Sequence, residues 1–153
     1  MVMESQTLFS AGNRVAPLGI ISLAGAQELS KKVEAHLVRW AKLAGLDYDT
    51  FLIESSCPRF SSGDGKGMIN STVRGYDLFF IVDVGNYSLT YNYFGQENRM
   101  SPDDHYQDLK RLIQAASGKA HRMNVVMPLL YGGRQHRRSY RESLDCAYML
   151  QEL

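Results

Sequence analysis

"DLFFIVDVG", residues 77–85, runs apolar from Leu78 to Val84 with Asp83 as its one interruption, and it ends in glycine. A run without polar alternation fits a strand covered on both faces, and burial on both faces is the habit of a parallel sheet flanked by helices. Asp83 falls near the carboxyl end of that strand.

The neighbouring segments support the same architecture. "LGIISLAG" (18–25) is a short β-branched run ending in Gly and reads as a second buried strand. It passes at once into "AQELSKKVEAHLVRWAKLAG" (26–45), where Leu29, Val33, Leu37, Trp40 and Leu43 recur at helical steps before Gly45. "DTFLIESSCPRF" (49–60) is a further strand candidate whose end Pro58 confines to an edge or turn. "SSGDGKG" (61–67) is turn chemistry throughout, and "MINSTVRG" (68–75) a short extended piece. Residues 86–100 have no clear period and read as a long loop with room for a hairpin. Ser101 is an N-cap, Pro102 the first helical residue, and the helix runs to about Ser117 with Leu109, Leu112, Ile113 and Ala116 on one face. "MNVVMPLLYGG" (123–133) reads as the next strand and "YRESLDCAYMLQEL" (140–153) as a final helix that meets no stop signal, so the chain is expected to end between elements.

Strands alternating with helices predict an α/β fold: a mostly parallel open sheet with helices on both faces. Ligands of such sheets bind beyond the carboxyl ends of the strands. That rule makes "SSGDGKG", the 86–100 loop and "YGGRQHRR" (131–138) the candidate walls of a site.

At 153 residues, 44% hydrophobic and 22% charged, the chain has the size and composition of one domain. Lys plus Arg (17) nearly balances Asp plus Glu (16), so net charge supplies no long-range field for nucleic acid or anionic lipid, and any anion site is local. Cys57 and Cys146 lack zinc or disulfide spacing, and a reducing cytoplasm fits best. No apolar run approaches the roughly 20 residues of a membrane span, and the N-terminus has no signal-peptide pattern. The expectation is a soluble cytoplasmic protein that binds neither membrane nor nucleic acid.

Arg134, His136, Arg137, Arg138 and Arg141 follow an apolar run and two glycines. Arginine forks grip phosphate oxygens in pairs, and glycine lets backbone approach a ligand. A solvated helix start is the bland alternative, and the position after a buried strand favours a site. "SSGDGKG" departs from the Walker A pattern because Gly67, not a hydroxyl residue, follows Lys66, and its composition favours a surface turn. Asp103 and Asp104 suit a helix N-terminus better than a Mg²⁺ site. His36, His105 and His121 lack ligand spacing and read as surface or partly packed residues. Tyr87, Tyr91, Tyr93 and Phe94 either stack a base or pack the loop against the sheet, and packing is the safer reading.

With these residues side by side, the chain from about residue 18 to 153 resembles the N-terminal domain of ribose-phosphate pyrophosphokinase, also called phosphoribosyl pyrophosphate synthetase. The family's F-S-D-G-E and S-V-R-G signature is similar to "FSSGD" (60–64) and "STVRG" (71–75), and its R-Q-D-R motif to "YGGRQHR" (131–137). Residues 1–17 then form an N-terminal extension. The resemblance implies a phosphoribosyltransferase-like fold and transfer of diphosphate from Mg-ATP to ribose 5-phosphate, with Mg²⁺ as cofactor. It implies ATP-binding roles for Phe60, Ser62, Asp64, Arg134, Gln135 and Arg137. Phe60 would stack on adenine held by a neighbouring subunit, which makes a homo-oligomer the expected state. Ser62 and Asp64 would meet the adenine edge, Arg134 its other face, and Arg137 the phosphates.

Three positions depart from the family pattern. Ser62 stands where the family has Asp or Asn, Asp64 where it has Glu, and His136 where it has Asp. The family's ribose 5-phosphate loop, its catalytic basic loop and much of its metal site belong to a second, C-terminal domain and are not among these residues. No catalytic residue and no metal ligand is therefore assigned here. The chain is expected to be a truncated form of a longer enzyme, inactive alone. A non-catalytic regulatory or scaffolding relative is the competing expectation. Nucleic-acid binding by the arginines is a third.

Overall fold

The computed structural model describes residues 16–153; the N-terminal extension lies outside the described residues up to position 15. In chain order the elements are β1 (Leu18–Ser22), α1 (Gln27–Leu43), β2 (Ser55–Ser56), β3 (Met68–Ile69), β4 (Asp77–Ile81), β5 (Thr90–Tyr93), β6 (Gln96–Arg99), α2 (Pro102–Ala116), β7 (Arg122–Val126) and α3 (Asp145–Glu152). β4 is the centre of a parallel sheet of order β1-β4-β7, in register from Leu18↔Asp77 to Ser22↔Ile81 on one side and from Asp77↔Arg122 to Ile81↔Val126 on the other. The strand expected to be buried on both faces is the central one.

Strand alternation divides the core into two layers. Ile20 and Ile81 join Ala26, Ala41 and Phe51 beneath α1, whereas Ile21, Leu78, Phe80 and Val82 pack with Tyr106, Leu109 and Leu112 of α2 and Met149 of α3. Helices therefore cover both faces, as expected. Ser101 and Asp104 form the capping box of α2, each side chain bonded to the other's backbone amide, with Pro102 in the first turn. Gly45 (φ 75°) and Gly118 (φ 73°) follow the ends of α1 and α2 in the left-handed region that favours glycine.

Four local expectations need correction. Residues 49–60 do not make one strand: Leu52 bridges β1 in parallel, and only Ser55–Ser56 pair again, antiparallel with β3. Pro58 lacks an amide hydrogen and closes that segment. β7 stops at Val126 and not Gly133, because Pro128 cannot continue the ladder. The last helix begins at Asp145, five residues later than its periodicity indicates. The buried stripe of α1 is carried by Ser30, Val33, Leu37, Val38 and Ala41, leaving Leu29 and Leu43 exposed.

At the amino edge of the sheet, Arg122 places its guanidinium fork on the Asp77 carboxylate, and Asn124 Nδ2 donates to Asp77 Oδ1 at 2.8 Å. This cluster ties β4 to β7 at the end opposite the candidate walls. Among the described residues, no helix is long and apolar enough to cross a membrane.

Candidate functional site

β1, β4 and β7 point their carboxyl ends the same way, so the loops after Ser22, Ile81 and Val126 share one edge of the sheet. The loop after β4 is fixed locally. Asp83 Oδ1 accepts from the Gly85 amide at 3.0 Å, and Asn86 Nδ2 donates to the Gly25 carbonyl in the loop after β1 at 2.9 Å. His105 of α2 is buried, and its Nε2 lies 2.8 Å from the Asn86 carbonyl. A carbonyl only accepts, so that nitrogen carries the proton. The sequence had suggested a surface or partly packed histidine. Its spacing to Leu109 and Leu112 was the available sign of a buried position.

The loop after β7 carries the arginine cluster. The Gly133 amide donates to Leu130 O at 3.1 Å and the Gln135 amide to Gly132 O at 2.7 Å, winding residues 130–135 into consecutive turns with Gly132 at φ 64°. There a Cβ would lie 3.1 Å from the Cys146 amide nitrogen, so glycine serves both the backbone angle and the approach of α3. Tyr131 anchors the loop: its ring stacks on Tyr106 with centroids 4.6 Å apart and planes 9° from parallel, and its hydroxyl donates to Asp103 Oδ1 at 2.7 Å. Burial, then the Asp103 bond, push the Tyr131 phenol up to about 12. Tyr106 in turn donates to Glu152 Oε2 at 3.0 Å, and the phenol is raised by burial and by that carboxylate.

Arg134 and Gln135 line a cleft of about 510 Å³ together with Val84, Tyr87, Asp103 and Tyr131. That volume falls within the ~300–1,000 Å³ usual for small-molecule sites. Arg137 does not line it.

The other candidate residues occupy a separate turn. The Phe60 amide donates to Asp64 O at 2.7 Å and the Gly63 amide to Phe60 O at 2.9 Å, while Arg59 bridges Gly65. Ser62 Oγ donates to Asp64 Oδ2 at 2.8 Å. Phe60 is 58% exposed. The structure thus groups Ser62 and Asp64 in one turn and Arg134 and Gln135 in one cleft, and neither Phe60, Ser62 nor Asp64 lines that cleft.

The 86–100 loop does contain a hairpin, β5 paired with β6, and its tip lies on this turn: the Phe94 amide donates to Ser61 O at 2.9 Å. Beneath it, Arg59 is clamped by Asp108, with Nη1 at 2.9 Å from Oδ1 and Nη2 at 3.0 Å from Oδ2, and Arg111 Nη1 reaches the same Oδ1 at 2.8 Å. Burial outweighs these guanidinium groups and holds the Asp108 carboxyl above its ordinary value. Neither Arg59 nor Asp108 was singled out from sequence. An arginine next to an exposed aromatic turn was the only sign.

Among the described residues, no group of three or more His, Cys, Asp or Glu side chains is arranged to hold a metal ion. Asp103 and Asp104 are engaged by Tyr131 and by the helix cap.

Comparison with known proteins places these features in a family context. The crystal structure of phosphoribosylpyrophosphate synthetase from Mycobacterium smegmatis superposes with a TM-score of 0.61 over 88% of this chain at 17% sequence identity. The match takes in 39% of that protein's chain, so the present residues span well under half its length. At that identity the likeness establishes the α/β fold. A comparison with curated proteins finds no match. The family described as the N-terminal domain of ribose phosphate pyrophosphokinase matches residues 18–153. Across residues 18–153, then, the chain belongs to the family of ribose phosphate pyrophosphokinase N-terminal domains.

Proposed function

We propose that this chain supplies the ATP-binding half of a ribose-phosphate diphosphokinase site, for transfer of diphosphate from ATP to the C1 hydroxyl of ribose 5-phosphate. The observation that carries the reading is the placement of Arg134 and Gln135 on a cleft at the carboxyl edge of the sheet, on a loop that Tyr131 anchors to α2. A guanidinium plane stacks on a purine face, and a second arginine, Arg137, meets the polyphosphate through charge-assisted bonds. Phe60, exposed on its turn, stacks on the other face of a base held by a neighbouring copy, which requires a homo-oligomer. Ser62 and Asp64 address the adenine edge.

Diphosphoryl transfer asks for alignment and neutralised charge more than for covalent help. These residues contribute alignment. Mg²⁺ arrives with the nucleotide in this reading, and no side chain of the chain is assigned to it. Ribose 5-phosphate binds through the family's second domain.

A second reading, a non-catalytic regulatory or scaffolding subunit, is favoured by the Ser62–Asp64 hydrogen bond, which satisfies within the turn two groups the first reading directs at adenine. A crystal structure of the assembled protein with a non-hydrolysable ATP analogue separates the two. Adenine held between Phe60 of one copy and Arg134 of another supports the ATP site. Arg134 in bulk solvent, remote from the 60–64 turn of every copy, overturns it.

A further inference from the structure

The hairpin has no assigned part in the site, yet its tip is built at some local cost. The pairing of Tyr93 with Gln96 leaves a two-residue turn, with Phe94 at φ 47° and Gly95 at φ 84°. Two left-handed residues mark the type I′ turn that suits a hairpin, where Asn or Asp is the usual first residue. A phenylalanine there is disfavoured by roughly 1–2 kcal/mol; Phe94 is 69% exposed, and its ring meets the Tyr93 ring edge-on with centroids 4.9 Å apart. The Asn92 side chain holds the tip by accepting from the Gly95 amide at 2.9 Å.

What the tip achieves is contact with the 60–64 turn. Besides the Phe94 amide bond to Ser61, the Tyr93 ring lies so close over Gly63 that a Cβ there would sit 2.9 Å from Tyr93 Cδ2. Gly63 has φ 87°, so glycine is required there twice over. At the other end of the turn the Arg59 guanidinium lies 5.1 Å from the centroid of the Tyr91 ring, and Asp108 fixes that guanidinium from α2. Arg59 before Phe60, and Ser61 and Gly63 after it, are therefore gripped by one hairpin.

We propose that the β5–β6 hairpin is the positioning element of the 60–64 turn, with Tyr91, Tyr93 and the Phe94 amide holding the turn in the shape that presents the Phe60 ring. Presentation to a nucleotide rests on the function proposed above; the bracing rests on the contacts alone.

The test pairs amide hydrogen exchange with ATP titration, using Tyr91→Ala/Tyr93→Ala, the rescue variant Tyr91→Phe/Tyr93→Phe, and Phe60→Ala. In the alanine variant the Phe60 and Gly63 amides exchange about tenfold faster or more while Leu78 and Phe80 in β4 are unchanged. In the assembled protein the same variant weakens ATP binding about fivefold, and the phenylalanine variant restores both values. Unchanged exchange at Phe60 and Gly63 overturns the bracing, as does equal acceleration in β4. Faster exchange in the turn, with ATP affinity unmoved by the alanine variant and by Phe60→Ala alike, upholds the bracing and instead overturns the ATP reading of the turn.

Discussion

Tyr131 Oη donates to Asp103 Oδ1 at 2.7 Å and so ties the glycine-rich loop after β7 to the first turn of α2. Tyr131→Phe keeps the stack on Tyr106 and removes this bond. It is expected to cost about 1 kcal/mol, since the bond is exposed although its acceptor is charged. The phenol is raised to about 12, mainly by burial and next by Asp103. A raised phenol stabilises the fold below the unfolded value near 10 and loses that contribution as pH rises through the folded value. Urea denaturation of both proteins should therefore give a difference that is flat from neutral pH to about 10 and shrinks above it. A difference that varies between pH 6 and 9 would refute this assignment.

Asp108 faces Arg59 and Arg111 in a site where Arg59 and Asp108 side chains are each only 9% exposed. Removing Asp108 leaves the buried Arg59 with only the Asp104 carboxylate, 3.8 Å away, so Asp108→Ala is expected to lose about 3 kcal/mol. Chemical denaturation measures it. A loss below about 1 kcal/mol would place the pair with ordinary surface bridges.

Cys57 lines the cavity under the hairpin, and burial, then the Asp108 charge, push its thiol up to about 12. Little thiolate exists at pH 8, and thiolate is the reactive form. Iodoacetamide should label Cys57 at least about a hundredfold more slowly in the native protein than in urea. Comparable native and unfolded rates would be incompatible with that environment.

Asp77 is held below the ordinary carboxylate range, first by the Arg122 hydrogen bonds, with burial opposing and Asn124 assisting. A lowered carboxylate contributes stability above its unfolded value near 4, and the contribution disappears as pH falls through the folded value. Because Arg122 is half exposed, solvent screens the contribution. Asp77→Asn should be less stable than the parent at pH 7, with the gap narrowing as the solution is acidified, by thermal unfolding. A gap that persists undiminished in acid would rule out the ion pair as its cause.

Much of the fold is written in local pattern. The run at 77–85 identified the central strand because burial on both faces removes polar alternation, and Ser101-Pro102 identified the start of α2 because capping uses adjacent residues. The register of 49–60 was not legible, since it depends on Pro58 and on pairing with Met68–Ile69 across a turn. The α1 face was misplaced because Leu29 and Leu43 fit the helical period although both are exposed, while the buried Ser30 and Ala41 carry little hydrophobic signal. At the site, the arginine loop and the Phe60 turn stood out as motifs. Arg59, Asp108 and Asn86 did not, because the bonds that join Arg59 to Asp108 and Asn86 to Gly25 span 49 and 61 residues. Long-range ion pairs and carbonyl contacts leave no periodic trace in a sequence.

ATP titration calorimetry on the assembled protein, comparing the parent with Arg134→Ala, reaches the nucleotide assignment without intermediates. Arg134 is exposed, so its truncation should leave the melting temperature within about 1 °C, and loss of base stacking and a cation should raise the Kd for ATP about tenfold or more. Equal ATP affinity in the two proteins would mean that the arginines at the sheet edge hold something other than this nucleotide.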